Sequence, residues 1–315
     1  MTDVITGATG FIGRNLLRSL ARRGESVIAI SRQPRNNTAG KGVRWHALPK
    51  STDDWERILE NGSTVYHCAW STLPQSSNHD PLSDASTNIL GTLQLLTVAK
   101  NRTDLRIVFP SSGGTVYGVL NSLPVTEEHP TNPRCAYGVS KLAIEKYLIL
   151  HRDLWGLDSV SLRISNAYGP RQEVIPQFGA ISTFAARALR GEPITIFGDG
   201  SIIRDYVYID DLVEAMILAG KFRHGPPVMN VGSGAGKSLN DIVTALSGVL
   251  GRQIAVNYVA KRDFDVPVSV LDISLARATL DWMPRVPFEA GIASTLRAIQ
   301  SGRGIDYDED DAARL

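Results

Sequence analysis

Thr6-Gly7-Ala8-Thr9-Gly10-Phe11-Ile12-Gly13 joins a short apolar run, Val4-Ile5, to Phe11–Arg23, where leucines recur at three- and four-residue spacing. Strand, glycine turn and amphipathic helix in immediate succession form a pyrophosphate site. The glycines allow a tight turn and close approach of backbone N–H groups, and the positive end of the helix faces the anion. The spacing is Gly-x-x-Gly-x-x-Gly, not Gly-x-Gly-x-x-Gly, and a glycine turn alone marks only a loop that needs positive φ. With strand and helix in place, Gly7, Thr9, Gly10, Phe11, Ile12 and Gly13 read as a dinucleotide-binding turn.

Outward from the turn, short β-branched runs alternate with longer helical patterns. Val4-Ile5, Ser26–Ile30, Thr64–Cys68, Arg106–Phe109 and Ser159–Ile164 read as strands buried on both faces. Asp84–Lys100 reads as a second amphipathic helix, and Gly24 stands where the first helix needs a left-handed residue. Strict alternation implies right-handed crossovers and an α/β fold with a doubly wound parallel sheet, the Rossmann arrangement. After residue 168 the rhythm breaks at Pro170, Pro176, Pro193 and Phe197-Gly198-Asp199-Gly200. Helical patterns follow at Asp210–Ala219, Leu239–Leu250 and Phe288–Ile299, and Val228–Val231 reads as one more strand of the sheet. The expected organisation is a dinucleotide-binding domain over 1–168, with 205–234 returning to it. A smaller substrate-binding domain comprises 169–204 and 235–315.

With 315 residues and 43% hydrophobic content the chain can bury a large core, and a net charge of +1 gives no electrostatic case for nucleic acid. No apolar run reaches membrane-spanning length, and the N-terminus has neither a basic n-region nor an apolar h-region. Two cysteines, Cys68 and Cys135, exclude a disulfide framework, so the expected setting is the cytoplasm. Asp306, Asp308, Glu309, Asp310 and Asp311 form an acidic tail that reads as a solvated end. No metal site is expected, because His67 and Cys68 have no ligand-spaced companions.

A carboxylate about 20 residues beyond the turn normally holds the adenosine ribose of NAD. Here Ser31-Arg32 ends the second strand, and an arginine offers a bidentate fork to the 2′-phosphate of NADP. Arg14, just after the third glycine, stands near enough in sequence to join it. NADP is therefore favoured and NAD remains possible. Tyr137 and Lys141, in Tyr137-Gly138-Val139-Ser140-Lys141, lie on one face of a helix expected to run to Leu150. A free phenol, with a pKa of about 10, is too weakly acidic to serve as a base near neutrality. A neighbouring ammonium and a positive nicotinamide both favour the phenolate.

Taken in order, Thr6–Gly13, Asn88-Ile89-Leu90-Gly91-Thr92, Thr115-Val116-Tyr117-Gly118, Tyr137–Lys141 and Arg204-Asp205-Tyr206-Val207 resemble the extended short-chain dehydrogenase/reductase family. The resemblance is to its branch of nucleotide-sugar epimerases, ketoreductases and dehydratases, UDP-glucose 4-epimerase-like. It implies that Tyr137 exchanges the sugar hydroxyl proton while the nicotinamide takes or gives hydride. Lys141 would bind the nicotinamide ribose, and Asn88 and Ala69 would line the cofactor site. The family's Ser or Thr four residues before the tyrosine of Val-Tyr-Gly is replaced here by Gly113, so either Thr115 or Ser112 supplies that hydroxyl, with Thr115 preferred, or Tyr137 works with less help. Gly114-Thr115 stands where the dehydratases carry an Asp-Glu pair, which argues against water expulsion. At the substrate end, Asn166, Arg204 and Arg262 resemble the diphosphate ligands, Phe197 the residue against the base, and Asp265 the carboxylate near the nucleotide ribose.

Gly232-Ser233-Gly234-Ala235-Gly236-Lys237-Ser238 imitates a phosphate-binding loop but has Val231 where its first glycine belongs, so it reads as a turn with Ser238 capping a helix. Two enzymatic readings follow from the resemblance: a 4-epimerase of UDP- or dTDP-hexoses, preferred, and an NADPH-dependent reductase of nucleotide 4-keto-6-deoxysugars. A non-catalytic cofactor sensor is a remote third, because such proteins lack the tyrosine or the lysine. The resemblance also implies a homodimer that packs the Tyr137 helix and the Asp84–Lys100 helix against their copies.

Overall fold

A computed structural model describes residues 2–34, 42–100, 102–175, 179–261 and 266–302. The acidic tail, Arg262 and Asp265 lie outside the described residues. The first half runs β1 (Asp3–Thr6), α1 (Phe11–Arg22), β2 (Val27–Ser31), β3 (Val43–Ala47), α2 (Thr52–Ile58), β4 (Thr64–His67), α3 (Pro81–Asp84), a π-helical turn (Ala85–Leu90), α4 (Gly91–Ala99), β5 (Arg106–Ser112), α5 (Ala136–Trp155) and β6 (Asp158–Ile164). The second runs β7 (Asn166–Tyr168), α6 (Ala180–Leu189), β8 (Ile194–Phe197), β9 (Ile203–Tyr208), α7 (Ile209–Lys221), β10 (Val228–Val231), β11 (Gly236–Ser238), α8 (Leu239–Leu250), β12 (Val256–Val259), β13 (Val268–Ser269), α9 (Ser274–Leu280) and α10 (Phe288–Gln300).

Seven strands form one parallel sheet in the order β10-β6-β5-β4-β1-β2-β3. β2, β4 and β6 are buried at every position, as a sheet covered by helices on both faces requires. Leu16, Leu17 and Leu20 of α1 supply one covering stripe, and Leu95, Leu96 and Ala99 of α4 supply another. Chain direction through the sheet reverses between β1 and β4. The crevice beyond their carboxyl ends is where such folds bind ligands.

Several elements differ from the sequence reading. β3 is an edge strand whose Arg44 and His46 interrupt its apolar pattern. The expected Asp84–Lys100 helix begins earlier, at Pro81, and contains the π-helical turn. Beyond β6, β9 pairs with β7, β11 and β13 in a second small sheet, and β8 pairs with β12. Ser238 caps α8 in a reciprocal box with Asp241, which settles the phosphate-loop imitation as a helix start. Among the described residues no helix is long and apolar enough to cross a membrane.

Candidate active site

The glycine turn is built for close approach. Gly7 has φ +65°, and a Cβ there would stand 2.8 Å from the backbone of Ala69. Gly13 packs on the turn itself, where a Cβ would meet the Gly7 carbonyl oxygen at 2.2 Å. Gly10 opens α1 with no side chain capping the first turn, so the helix N-terminus offers its amides to an anion. A cradle that side chains would fill, at an uncapped helix start, fits a dinucleotide pyrophosphate.

At the adenosine end the Arg14 guanidinium donates to the Thr9 carbonyl and lies 3.3 Å from Glu173. The Ser31 hydroxyl donates to the Gln33 carbonyl at 2.7 Å, and Arg32 is exposed.

α5 presents the tyrosine and lysine. Its first amides are capped from outside the helix, Ala136 by the Asn78 side chain at 2.8 Å and Tyr137 by the Ser77 hydroxyl at 3.0 Å. Gly156 ends it in the left-handed conformation. The Lys141 ammonium is buried, donates to the Pro110 carbonyl at 2.7 Å and lies 3.7 Å from the centre of the Trp70 ring. Trp70 in turn meets Tyr137 edge-on at 5.8 Å. Burial pulls the lysine down to about 7, partly offset by Cys68, Glu145 and Asp84. The phenol shifts the other way from the sequence expectation: burial, then Cys135 and Asp84, hold Tyr137 above its ordinary value.

Behind this pair, Asp84 is fully buried and accepts from Ser140, Thr72 and Asn88, which fastens α5 to the segment leaving β4. The Asn88 carboxamide takes the Ser71 amide at 3.0 Å, and neither Asn88 nor Ala69 is among the residues lining the cleft that holds Gly7, Tyr137 and Lys141. His67 links two threonines. Thr92 donates to the Asn88 carbonyl and so accepts from His67 Nε2, which leaves Nδ1 to accept from Thr6. Burial holds this imidazole down at about 3, and it is neutral throughout the working range.

Ser111 hydrogen-bonds to Glu145, which also pairs with Arg163 at 2.8 Å, all three buried. Ser112 and Thr115 both line the cleft, and Thr115 Oγ1 is buried with no partner. A buried hydroxyl without a partner is costly unless a ligand completes it. The cleft has a volume of about 940 Å³ and extends from Gly7, Gly10 and Tyr137 to Asn166, Phe197 and Arg204. Asn166 donates to the Asp205 carbonyl at 2.9 Å, and Arg204 to the carbonyls of Ile203 and Val266 at 2.8 and 2.6 Å.

A model of the NAD dependent epimerase/dehydratase family matches residues 4–232. The chain belongs to that family. A UDP-glucose 4-epimerase of Mycolicibacterium smegmatis is 33% identical over 94% of this chain and 97% of its own. Among solved structures, a UDP-glucose 4-epimerase of Thermotoga maritima with UDP-glucose superimposes with a TM-score of 0.87 at 32% identity, covering 96% of this chain and 100% of that one. A UDP-glucose 4-epimerase of Thermus thermophilus in complex with NAD gives 0.83 at 32%, covering 95% and 99%. Within the family framework, sequence reasoning missed Trp70, Asp84, Glu145 and Ser77. Each works through a partner distant in the chain, and no local spacing announces it.

Proposed function

We propose that this chain is a nucleotide-sugar 4-epimerase acting on a UDP- or dTDP-hexose, with NAD(P) held at the Gly7–Gly13 turn. The observation that supports the reading is one cleft lined by Tyr137, Lys141 and Thr115 together with Asn166, Phe197 and Arg204, the Thr115 hydroxyl having no partner. The similarity to UDP-glucose 4-epimerases over nearly the whole chain supports it.

Asn166 and Arg204 hold the diphosphate, joined by Arg262, while Phe197 lies against the base and Asp265 takes the nucleotide ribose. Tyr137 Oη removes the proton of the sugar C4 hydroxyl and later returns it. Thr115 Oγ1 donates to the C4 oxygen and keeps it in line with Tyr137; Ser112 is the alternative donor on the same wall. Lys141, poised near neutrality by burial, carries the positive charge that favours the phenolate. A nicotinamide held at the Gly7–Gly13 turn would supply the hydride acceptor and donor that the exchange at C4 requires. Purified protein incubated with UDP-glucose and no added cofactor should form UDP-galactose; turnover only of a 4-keto-6-deoxysugar with added NADPH would replace this reading by the reductase.

The finer cofactor choice is NADP. No Asp or Glu occurs between Ser26 and Thr52, so the ribose lacks a carboxylate partner there, while Arg32 is exposed at the end of β2. The Thermus neighbour in complex with NAD weighs on the other side. The proposed assembly is a homodimer. Val139, Tyr147, Leu150 and Leu154 form an exposed apolar stripe on α5, beside exposed Leu82 and Leu90. Stripes of this kind mark interfaces. Light scattering should return twice the 34.2 kDa chain mass, and a single-chain mass overturns the dimer.

A further inference from the structure

In the turn that carries Ser112 and Thr115, Gly113 N–H donates to the Ile164 carbonyl at 2.8 Å, and the N–H groups of Thr115 and Val116 donate to the Ser112 carbonyl at 3.4 and 3.2 Å. What lies against Gly113 is Leu271, from the far end of the chain. A Cβ on Gly113 would stand 2.6 Å from Leu271 Cδ1, 3.0 Å from Cδ2 and 3.2 Å from the Arg163 carbonyl oxygen. Leu271 is 2% exposed and packed with Val116, Tyr117 and Val125, so its side chain has nowhere to swing.

The Leu271 backbone is equally constrained. Its N–H lies 3.3 Å from Asp205 Oδ2, and the neighbouring Val270 and Asp272 exchange hydrogen bonds with Val125, each 2.8 Å. Asp205 is itself buried and also holds Ser233 and Gly234. On its other side the turn abuts the tyrosine helix: a Cβ on Gly138 would meet Thr115 Cβ at 3.2 Å. The turn is thus clamped between α5 and one leucine.

We propose that Leu271 is a positioning residue for the reaction: its isobutyl group seats in the notch at Gly113 and fixes the Ser112–Thr115 turn so that the Thr115 hydroxyl is held at the cleft wall beside α5. Leu271 touches no reacting atom and acts through Gly113. This deepens the epimerase reading and rests on it, because the group being positioned is the hydroxyl that holds the C4 oxygen. A displacement of about 1 Å at such a group costs up to about 100-fold in rate.

The test is a cycle of Leu271→Ala, Gly113→Ala and the two combined. Each single change should lower kcat roughly 10- to 100-fold with little change in KM for the nucleotide-sugar, because binding groups elsewhere are untouched. The Val116 amide should exchange faster in Leu271→Ala, a readout that needs neither cofactor nor substrate. In the combined variant the new methyl occupies the vacated notch, and kcat should exceed the product of the two single effects. A combined kcat at or below that product, or single variants with the wild-type kcat, overturns the proposal. If Leu271→Ala does not fold, Leu271→Val takes its place in the cycle. Thr115→Val reports separately on the hydroxyl assignment: full kcat there defeats that assignment, while the cycle still reports on the clamp.

Discussion

Tyr137→Phe should lower kcat about 10²- to 10⁴-fold, the range for loss of a positioned acid–base group, while KM for the nucleotide-sugar and the affinity for cofactor change little. The ring stays, so its edge contact with Trp70 at 5.8 Å and its place at the start of α5 survive. Only the proton acceptor is removed. The phenol begins at a disadvantage, since burial holds it above its ordinary value in the protein by itself. In the proposed mechanism its activation depends on positive charge brought near it, from Lys141 and from a nicotinamide when one is bound. Wild-type turnover in Tyr137→Phe would mean that another group accepts the C4 proton.

Gly13→Ala should weaken both NAD and NADP together. The added methyl would stand 2.2 Å from the Gly7 carbonyl oxygen and 2.9 Å from its carbon, both backbone atoms that cannot move aside without reshaping the turn. Forcing atoms into such a packed place costs about 1–3 kcal/mol, and at tenfold per 1.4 kcal/mol the loss of affinity is roughly 5- to 150-fold. In the same titration the unaltered protein should bind NADP more tightly than NAD. Undiminished binding to Gly13→Ala removes the pyrophosphate from this turn, and tighter binding of NAD removes the role given to Arg32.

The parts of the molecule that were legible in the sequence are those written over short spans. The glycine turn, the Tyr137–Lys141 pair and the buried strands each fit within one element, where spacing alone determines geometry. β3 was missed because Arg44 and His46 break the apolar pattern of an edge strand. The Asp84 junction was missed because Thr72, Asn88 and Ser140 reach it from three segments. Gly113 likewise looked like a vacancy in a motif. The fold fills that vacancy with Leu271, whose approach no local pattern foretells.

The path of one hydrogen at C4 decides the proposed epimerisation. UDP-galactose carrying deuterium at C4, incubated with the purified protein and no added cofactor, should yield UDP-glucose with the label still at C4 and none lost to solvent. Label washed out into water, or no conversion unless NADPH and a 4-keto sugar are supplied, would contradict it.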